Sequence, residues 1–378
     1  MPHSDRPRSD HAEAVVVAEE SDGIGTLTLN RPAAINALNR EMVAILTAVL
    51  DDWAVDPRVR AVVLDGAGTR GLCAGGDVVA IHRDAVALRG AGDEAAAASD
   101  SAAFWREEYR LNAAIADYPK PYVAIMDGIV MGGGVGVSAH AGVRVVTDRT
   151  RLAMPETGIG LVPDVGGTWL LSRVPGELGT YAALTATQLS GADVIALGLA
   201  DHYVPAERLG ALRAGLVAVS VDDALAAVAA DPPESSLAQQ REWIAEAFAA
   251  DTVAEIEENC RALGTAESVA AAEALAAKSP TAAAATLAAL RAAREDSSLR
   301  DALRREYRTS LRCLQHGDLA EGIRAQVIDK DRRPTWQQDD TRAVPADEVA
   351  AFTAPLPAGL ELTFGPGTAA TTLEETLR

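Results

Sequence analysis

KPYVAIMDGIVMGGGVGVSAHA, residues Lys120 to Ala141, carries an apolar run into a glycine cluster and out again into a helical pattern. Tyr122 to Met126 read as a buried strand, Gly128 to Gly134 as irregular backbone, and Val135 to Ala141 as the opening turns of a helix. Gly132, Gly133 and Gly134 let the chain approach a ligand closely and adopt φ > 0 without steric cost. They stand where a helix begins, so N–H groups without an intrahelical partner point outward with the positive end of the helix dipole behind them. Such a junction can hold an anionic oxygen, or it can serve only for close packing of helix on strand. The cluster alone leaves both readings open.

Working outward, the chain has 378 residues, of which 48% are hydrophobic, enough for a sizeable core. Lys and Arg total 34 against 54 Asp and Glu, a formal charge of -20, which argues against nucleic-acid binding. Any anionic ligand must therefore be held by a local pocket. Cys73, Cys260 and Cys313 are odd in number and widely spaced, so neither a disulfide framework nor a zinc site is indicated, and a reducing compartment is expected. No apolar run approaches the roughly 20 residues needed to span a bilayer. Met1 to Glu13 is too polar for a signal peptide, so no membrane partner and a cytoplasmic location are expected.

Strand candidates recur at Ala14 to Ala18, Ile24 to Leu29, Ala61 to Asp65, Tyr122 to Met126, Val143 to Thr147 and Arg151 to Met154. Helical patterns such as Glu41 to Trp53 alternate with them, which predicts an α/β layer architecture. The Ala-rich segment from Val78 to Arg110 reads equally as helix, loop or lid. Past Val204 the pattern turns helical, broken at Asp231-Pro232-Pro233 and restarted at Ser279-Pro280. Order is thus expected over an α/β core, 14–205, and a helical region, 206–356, with poorly ordered tails at 1–13 and 357–378.

Gly134 to Ala139 fits the dinucleotide fingerprint G-x-G-x-x-A, with Glu156 roughly twenty residues on. The match is weak, because Asp127 to Gly133 intervene between the strand and the first glycine. Ser138 with His140 lacks the nucleophile elbow of serine hydrolases and reads as helix packing. A second glycine junction, CAGGD at 73 to 77, follows the strand AVVLDGAG. Two such junctions could bring two backbone N–H donors onto one oxygen, which is what an oxyanion hole requires. MPET, 154 to 157, sets a carboxylate at a strand end, and Glu156 and Asp164 both lie in otherwise apolar, Gly/Pro-rich stretches. Buried carboxylates need partners or a task.

CAGGD, PYVAIMDGIVMGGGVG (121 to 136) and MPETGIGLVPDVGGT (154 to 168) resemble the crotonase, or enoyl-CoA hydratase/isomerase, superfamily. KSP (278 to 280), REY (305 to 307) and EGIRAQVIDKDRRPTW (321 to 336) are similar to a thioester-hydrolysing branch of it. The likeness covers about Ala14 to Phe352. It implies a spiral of ββα turns with a helical C-terminal region, and an acyl-CoA substrate processed without metal or redox cofactor; a homo-oligomer fits it as well as a monomer. It implies that Gly76 and Gly133 are oxyanion-hole glycines, Glu156 the catalytic carboxylate, Asp164 its hydrolase-specific partner and Glu108 a substrate contact. Where hydratases carry a further glutamate, this chain has Gly136. Hydrolysis asks less of carboxylates than hydration does, because a thiolate with a pKa near 8.5 is a tolerable leaving group. The resemblance therefore implies hydrolysis of a short 3-hydroxyacyl-CoA, 3-hydroxyisobutyryl-CoA of valine breakdown foremost, with an enoyl-CoA hydratase/isomerase as the alternative. Arg31 and Arg70 are candidates for holding the coenzyme A phosphates.

Overall fold

The computed structural model describes residues 14–365. Its strands form two sheets. The first runs, edge to edge, β1 (Val16–Ser21), β2 (Ile24–Leu29), β3 (Ala61–Gly66), β5 (Tyr122–Met126), β7 (Val143–Val146) and β10 (His202–Tyr203). The second runs β4 (Gly71–Cys73), β6 (Ile129–Met131), β8 (Arg151–Ala153) and β9 (Leu189–Ser190). β1 and β2 pair antiparallel across Asp22 and Gly23, both at φ > 0, as a tight hairpin turn demands. From β2 onward the first sheet is parallel.

The order of the strands defines the spiral. β3 and β4, then β5 and β6, then β7 and β8 each give one strand to the first sheet and a short one to the second. β4, β6 and β8 are parallel neighbours. The helices that matter here are α1 (Arg40–Val55), α2 (Val78–Ala87), α3 (Asp93–Ala97), α4 (Asp100–Ala116), α5 (Gly133–Ser138) and α6 (Gly167–Ser172). α1 begins where the Asn39 side chain accepts from the Met42 N–H. The open segment 78–110 is thus three helices, the last anchored by Ser99 accepting from the Ala102 N–H.

One local expectation needs correction. Gly128 to Gly134 is largely regular: Ile129–Met131 form β6, and the helix starts at Gly133 and not at Val135. Gly128 (φ 69°) and Gly132 (φ 48°) turn the chain on either side of a strand too short to show a period in sequence. β1 also runs later than expected, because an edge strand with exposed Glu19 and Glu20 carries little apolar signal.

A parallel sheet must be covered on both faces. Ile24, Val63, Val123, Ile125 and Val145 pack under Leu209, Leu212, Leu216 and Leu225, from the helices Leu209–Ala218 and Val221–Val228. The opposite face joins the main core with Leu27, Leu64, Tyr122 and Met126. Residues 357–365, expected within a tail, instead pack down: Leu362 is buried and Phe364 lies against the core. Arg308 pairs with Glu361, and Arg110 donates to the Thr363 carbonyl. The expected tails at 1–13 and 366–378 lie outside the described residues. All three cysteines are buried and unpaired. Among the described residues no helix is long and apolar enough to cross a membrane.

Candidate active site

β4 and β6 are adjacent and parallel, so the glycine junctions that follow them meet. Gly76 forms a parallel bridge with Leu38, in which the Leu38 N–H donates to the Gly75 carbonyl (2.8 Å) and the Asp77 N–H donates to the Leu38 carbonyl (2.9 Å). That pattern leaves the Gly76 N–H facing away from Leu38. Gly133 opens α5, so its N–H has no intrahelical acceptor. Among the described residues neither N–H donates a hydrogen bond. The approach is close: a Cβ built on Gly75 would lie 3.9 Å from the Gly133 nitrogen, and one on Gly133 would lie 2.5 Å from Glu108 Oε1.

Carboxylates from four separate segments gather here, Glu108 and Glu156 against the Gly132–Gly133 backbone and Asp164 and Glu306 within electrostatic reach of Glu156. Glu108 projects from α4 and is 2% exposed. Glu156 opens a 3₁₀ turn just after β8, with Oε1 3.1 Å from where a Cβ on Gly132 would be. Asp164 lies between that turn and α6 and accepts from the Tyr109 hydroxyl (2.8 Å), which also meets the Ser310 hydroxyl (2.9 Å). Glu306, from the helix Leu299–Gln315, accepts from the N–H groups of Gly166 (2.7 Å) and Thr168 (2.9 Å) and from the Thr168 hydroxyl. Between Asp164 and Gly166, Val165 sits at φ 52°, an uncommon and strained conformation for a β-branched residue. His140 Nε2, 2.8 Å from the Val165 carbonyl, and the Glu306 contacts brace that strained residue from both sides.

Among the described residues no cation shares this cluster's hydrogen bonds, and its protonation follows. Burial, then the neighbouring Asp164 charge, pushes both Glu108 and Glu156 well above the ordinary carboxylate range. Burial raises Asp164 to about 6 despite the Tyr109 hydrogen bond. Burial likewise raises Glu306 to about 7 against its three donors. His140 is pushed down to about 4 by burial and is neutral, so its Nε2–H donates to Val165. Glu108 Oε1 and Glu156 Oε2 are buried without a hydrogen-bond partner among the described residues.

Gly76, Gly133, Glu108, Glu156 and Asp164 thus come together. Sequence reasoning misses Glu306 as a site neighbour. Its signal is its place on the buried stripe Ala302, Leu303, Glu306, Tyr307, Ser310, Cys313, where a charge has no business unless it is satisfied. Gly136 is more than an absent carboxylate: a Cβ there would lie 2.7 Å from Val165 Cβ and 2.8 Å from Asn112 Nδ2, so other side chains fill that space. Ser138 donates to the Gly134 carbonyl, so it and His140 each bond backbone and not one another. Arg31 is engaged by the Ala37 carbonyl and Asp77, while among the described residues Arg70 reaches only the Ala33 carbonyl, at 3.5 Å. A cleft of about 470 Å³, lined by Leu38, Arg40, Asp77, Arg83 and Phe104 among others, opens beside Gly76. The Phe104 ring lies 3.4 Å from where a Cβ on Gly76 would be.

Residues 24–353 match the family model described as enoyl-CoA hydratase/isomerase. The chain is 40% identical over 338 residues to a Xenopus laevis protein named 3-hydroxyisobutyryl-CoA hydrolase, mitochondrial, covering 86% of this chain and 85% of that one. The human protein of the same name is 37% identical over 354 residues, covering 90% and 89%. Among solved structures, a carnitinyl-CoA dehydratase from Mycobacterium thermoresistibile is 51% identical with a TM-score of 0.86, covering 93% of this chain and 98% of that one. An enoyl-CoA hydratase from Rhodobacter sphaeroides 2.4.1 is 41% identical with a TM-score of 0.85, covering 93% and 100%.

Proposed function

The chain belongs to the enoyl-CoA hydratase/isomerase family, and within it we propose that this protein hydrolyses a short 3-hydroxyacyl-CoA thioester, 3-hydroxyisobutyryl-CoA foremost, to the free hydroxy acid and coenzyme A. The observation that carries the reading is that, among the described residues, the Gly76 and Gly133 N–H groups donate no hydrogen bond while buried Glu108 and Glu156 each keep an unpartnered oxygen and lie against the Gly132–Gly133 backbone, with the Gly136 position closed to a further carboxylate. The relatives named as hydrolases support it.

The Gly76 and Gly133 N–H groups hold the thioester carbonyl oxygen and take up the charge that develops on it. Ionised Glu156 either attacks the carbonyl carbon or removes a proton from the water that does. As the new C–O bond forms the C–S bond breaks. On the direct route the product is a mixed anhydride of the acyl group with Glu156, which water then cleaves to the free acid and Glu156, and on either route the thiolate takes up a proton that water gives up. Glu108 and Asp164 line the acyl pocket as acceptors, to one of which the single O–H of the substrate hydroxyl donates. Coenzyme A lies along the cleft beside Gly76, with no metal or redox cofactor in the reaction. We place the enzyme in the cytoplasm, in contrast to the relatives named as mitochondrial, and fractionation of the source cells checks this.

A thiol-trapping assay over a panel of acyl-CoAs tests the reading. Release is expected from 3-hydroxyisobutyryl-CoA, unchanged by a chelator, with isobutyryl-CoA poorer by about 10² or more in kcat/KM. The similar solved structures, a dehydratase and a hydratase by name, favour a second reading, a hydratase or dehydratase. Efficient hydration of crotonyl-CoA without thiol release would establish that reading and overturn the first.

A further inference from the structure

α4 presents Glu108 and Asn112 one turn apart, on the same face of the helix. Asn112 is fully buried, and neither its Oδ1 nor its Nδ2 has a hydrogen-bond partner among the described residues. Leaving a buried amide unpaired costs the full desolvation of its polar groups, so an apolar residue of the same shape would serve packing better. Its place is informative. The Asn112 amide stands against Gly136 beside Val165, the residue that follows Asp164. Glu108 Oε1 and Glu156 Oε2 are the unpartnered atoms of the neighbouring carboxylates.

Ionised carboxylates only accept hydrogen bonds, whereas an alcohol carries one donor and two acceptor lone pairs. Glu108, its carboxyl raised by burial, can take the hydrogen of a substrate hydroxyl only in its ionised form, and in that form it offers nothing to the hydroxyl's lone pairs. The carboxamide of Asn112 supplies an uncharged N–H among those acceptors. We propose that Asn112 is a specificity-determining residue, donating its side-chain N–H to the oxygen of the substrate's 3-hydroxyl while that hydroxyl donates to Glu108. This rests on the hydrolase reading above and adds to it the residue that reads the hydroxyl oxygen.

The test compares thiol release from 3-hydroxyisobutyryl-CoA and isobutyryl-CoA by the wild-type chain, Asn112→Leu and Asn112→Ala. Leu is close in shape and removes the amide; Ala removes it with less risk of overpacking. In both variants kcat/KM for the hydroxylated thioester is expected to fall about 10-fold or more, and that for isobutyryl-CoA to change less than about 3-fold, so that discrimination shrinks. The melting temperature of ligand-free Asn112→Leu is expected to equal or exceed that of the wild type. Equal losses on both thioesters, unchanged discrimination in a folded variant, or a Leu variant that melts well below wild type while Ala retains full discrimination would overturn the assignment. A wild-type chain that cleaves neither thioester would overturn the hydrolase reading itself, a result separable from the others because it needs no substitution to appear.

Discussion

One wall of the site is backbone and the other is side chain, and the two are built in different ways. The glycine wall comes from two equivalent points of the spiral, the ends of neighbouring strands β4 and β6, and is uncharged. The carboxylate wall gathers Glu108, Glu156, Asp164 and Glu306 from a helix, a 3₁₀ turn, a strained loop and the C-terminal helical region. The first wall is fixed by ladder geometry and is insensitive to pH. The second is held by tertiary contacts, and each of its members is harder to ionise than a free carboxylate. Within it Glu306 has three donors while Glu108 and Glu156 each keep an unpartnered oxygen, which separates a carboxylate that holds the fold from those left free for a ligand.

The contrast can be broken by substitution on either side. The largest effect is expected from Glu156→Gln, which keeps the size of the side chain and should lower the rate of thiol release by about 10²–10⁴. On the glycine wall, Gly133→Pro deletes one N–H donor and should lower kcat by about 10²–10³, more if the ring strains the junction. Wild-type turnover by that variant would remove Gly133 from the mechanism.

Asp164→Asn should change both the stability of the chain and the pH profile of its activity. The carboxyl titrates at about 6 in the folded chain, above an unfolded value near 3.9, so the folded state binds protons more tightly. Its favourable contribution is complete below about pH 4 and is lost as pH rises through about 6. Asn carries no such titration, so ligand-free Asp164→Asn should gain roughly 1–3 kcal/mol over wild type between pH 4 and pH 8, read by denaturant unfolding. A constant difference across that range would contradict the buried, raised carboxyl. The same variant should move the acid limb of the kcat/KM profile to lower pH, because the Asp164 charge helps to keep Glu156 protonated. The smallest effect is expected from Glu306→Gln, which should move that limb in the same direction by less, since the Glu306 charge acts on Glu156 more weakly than Asp164 does.

The two walls are also unequally legible in the sequence. Glycine strings after apolar runs announce themselves, and the junctions at 73–77 and 132–134 stand out as a pair in the sequence alone, while the choice of Gly76 and Gly133 within them rests on family likeness. The α/β alternation and four of the first sheet's strands can be placed closely as well. β4 and β6, at three residues each, are too short for a period to show, so the strands that bring the glycines together leave no pattern to read. Asn112 and Glu306 lie in helices rich in charge, where a polar residue reads as solvated until the buried stripe around it is traced. Glu108, Glu156 and Asp164 are assigned on family likeness. Their shared environment is a property of four segments meeting, which no local window contains.

The affinity of Glu156→Gln for intact 3-hydroxyisobutyryl-CoA tests the division of labour between the walls most directly. If backbone N–H groups hold the thioester and Glu156 cuts it, this variant binds the substrate within a few-fold of wild type in calorimetric titration and leaves it uncleaved over many wild-type turnover times. Thiol release by Glu156→Gln at the wild-type rate would contradict the account, and so would loss of binding together with turnover.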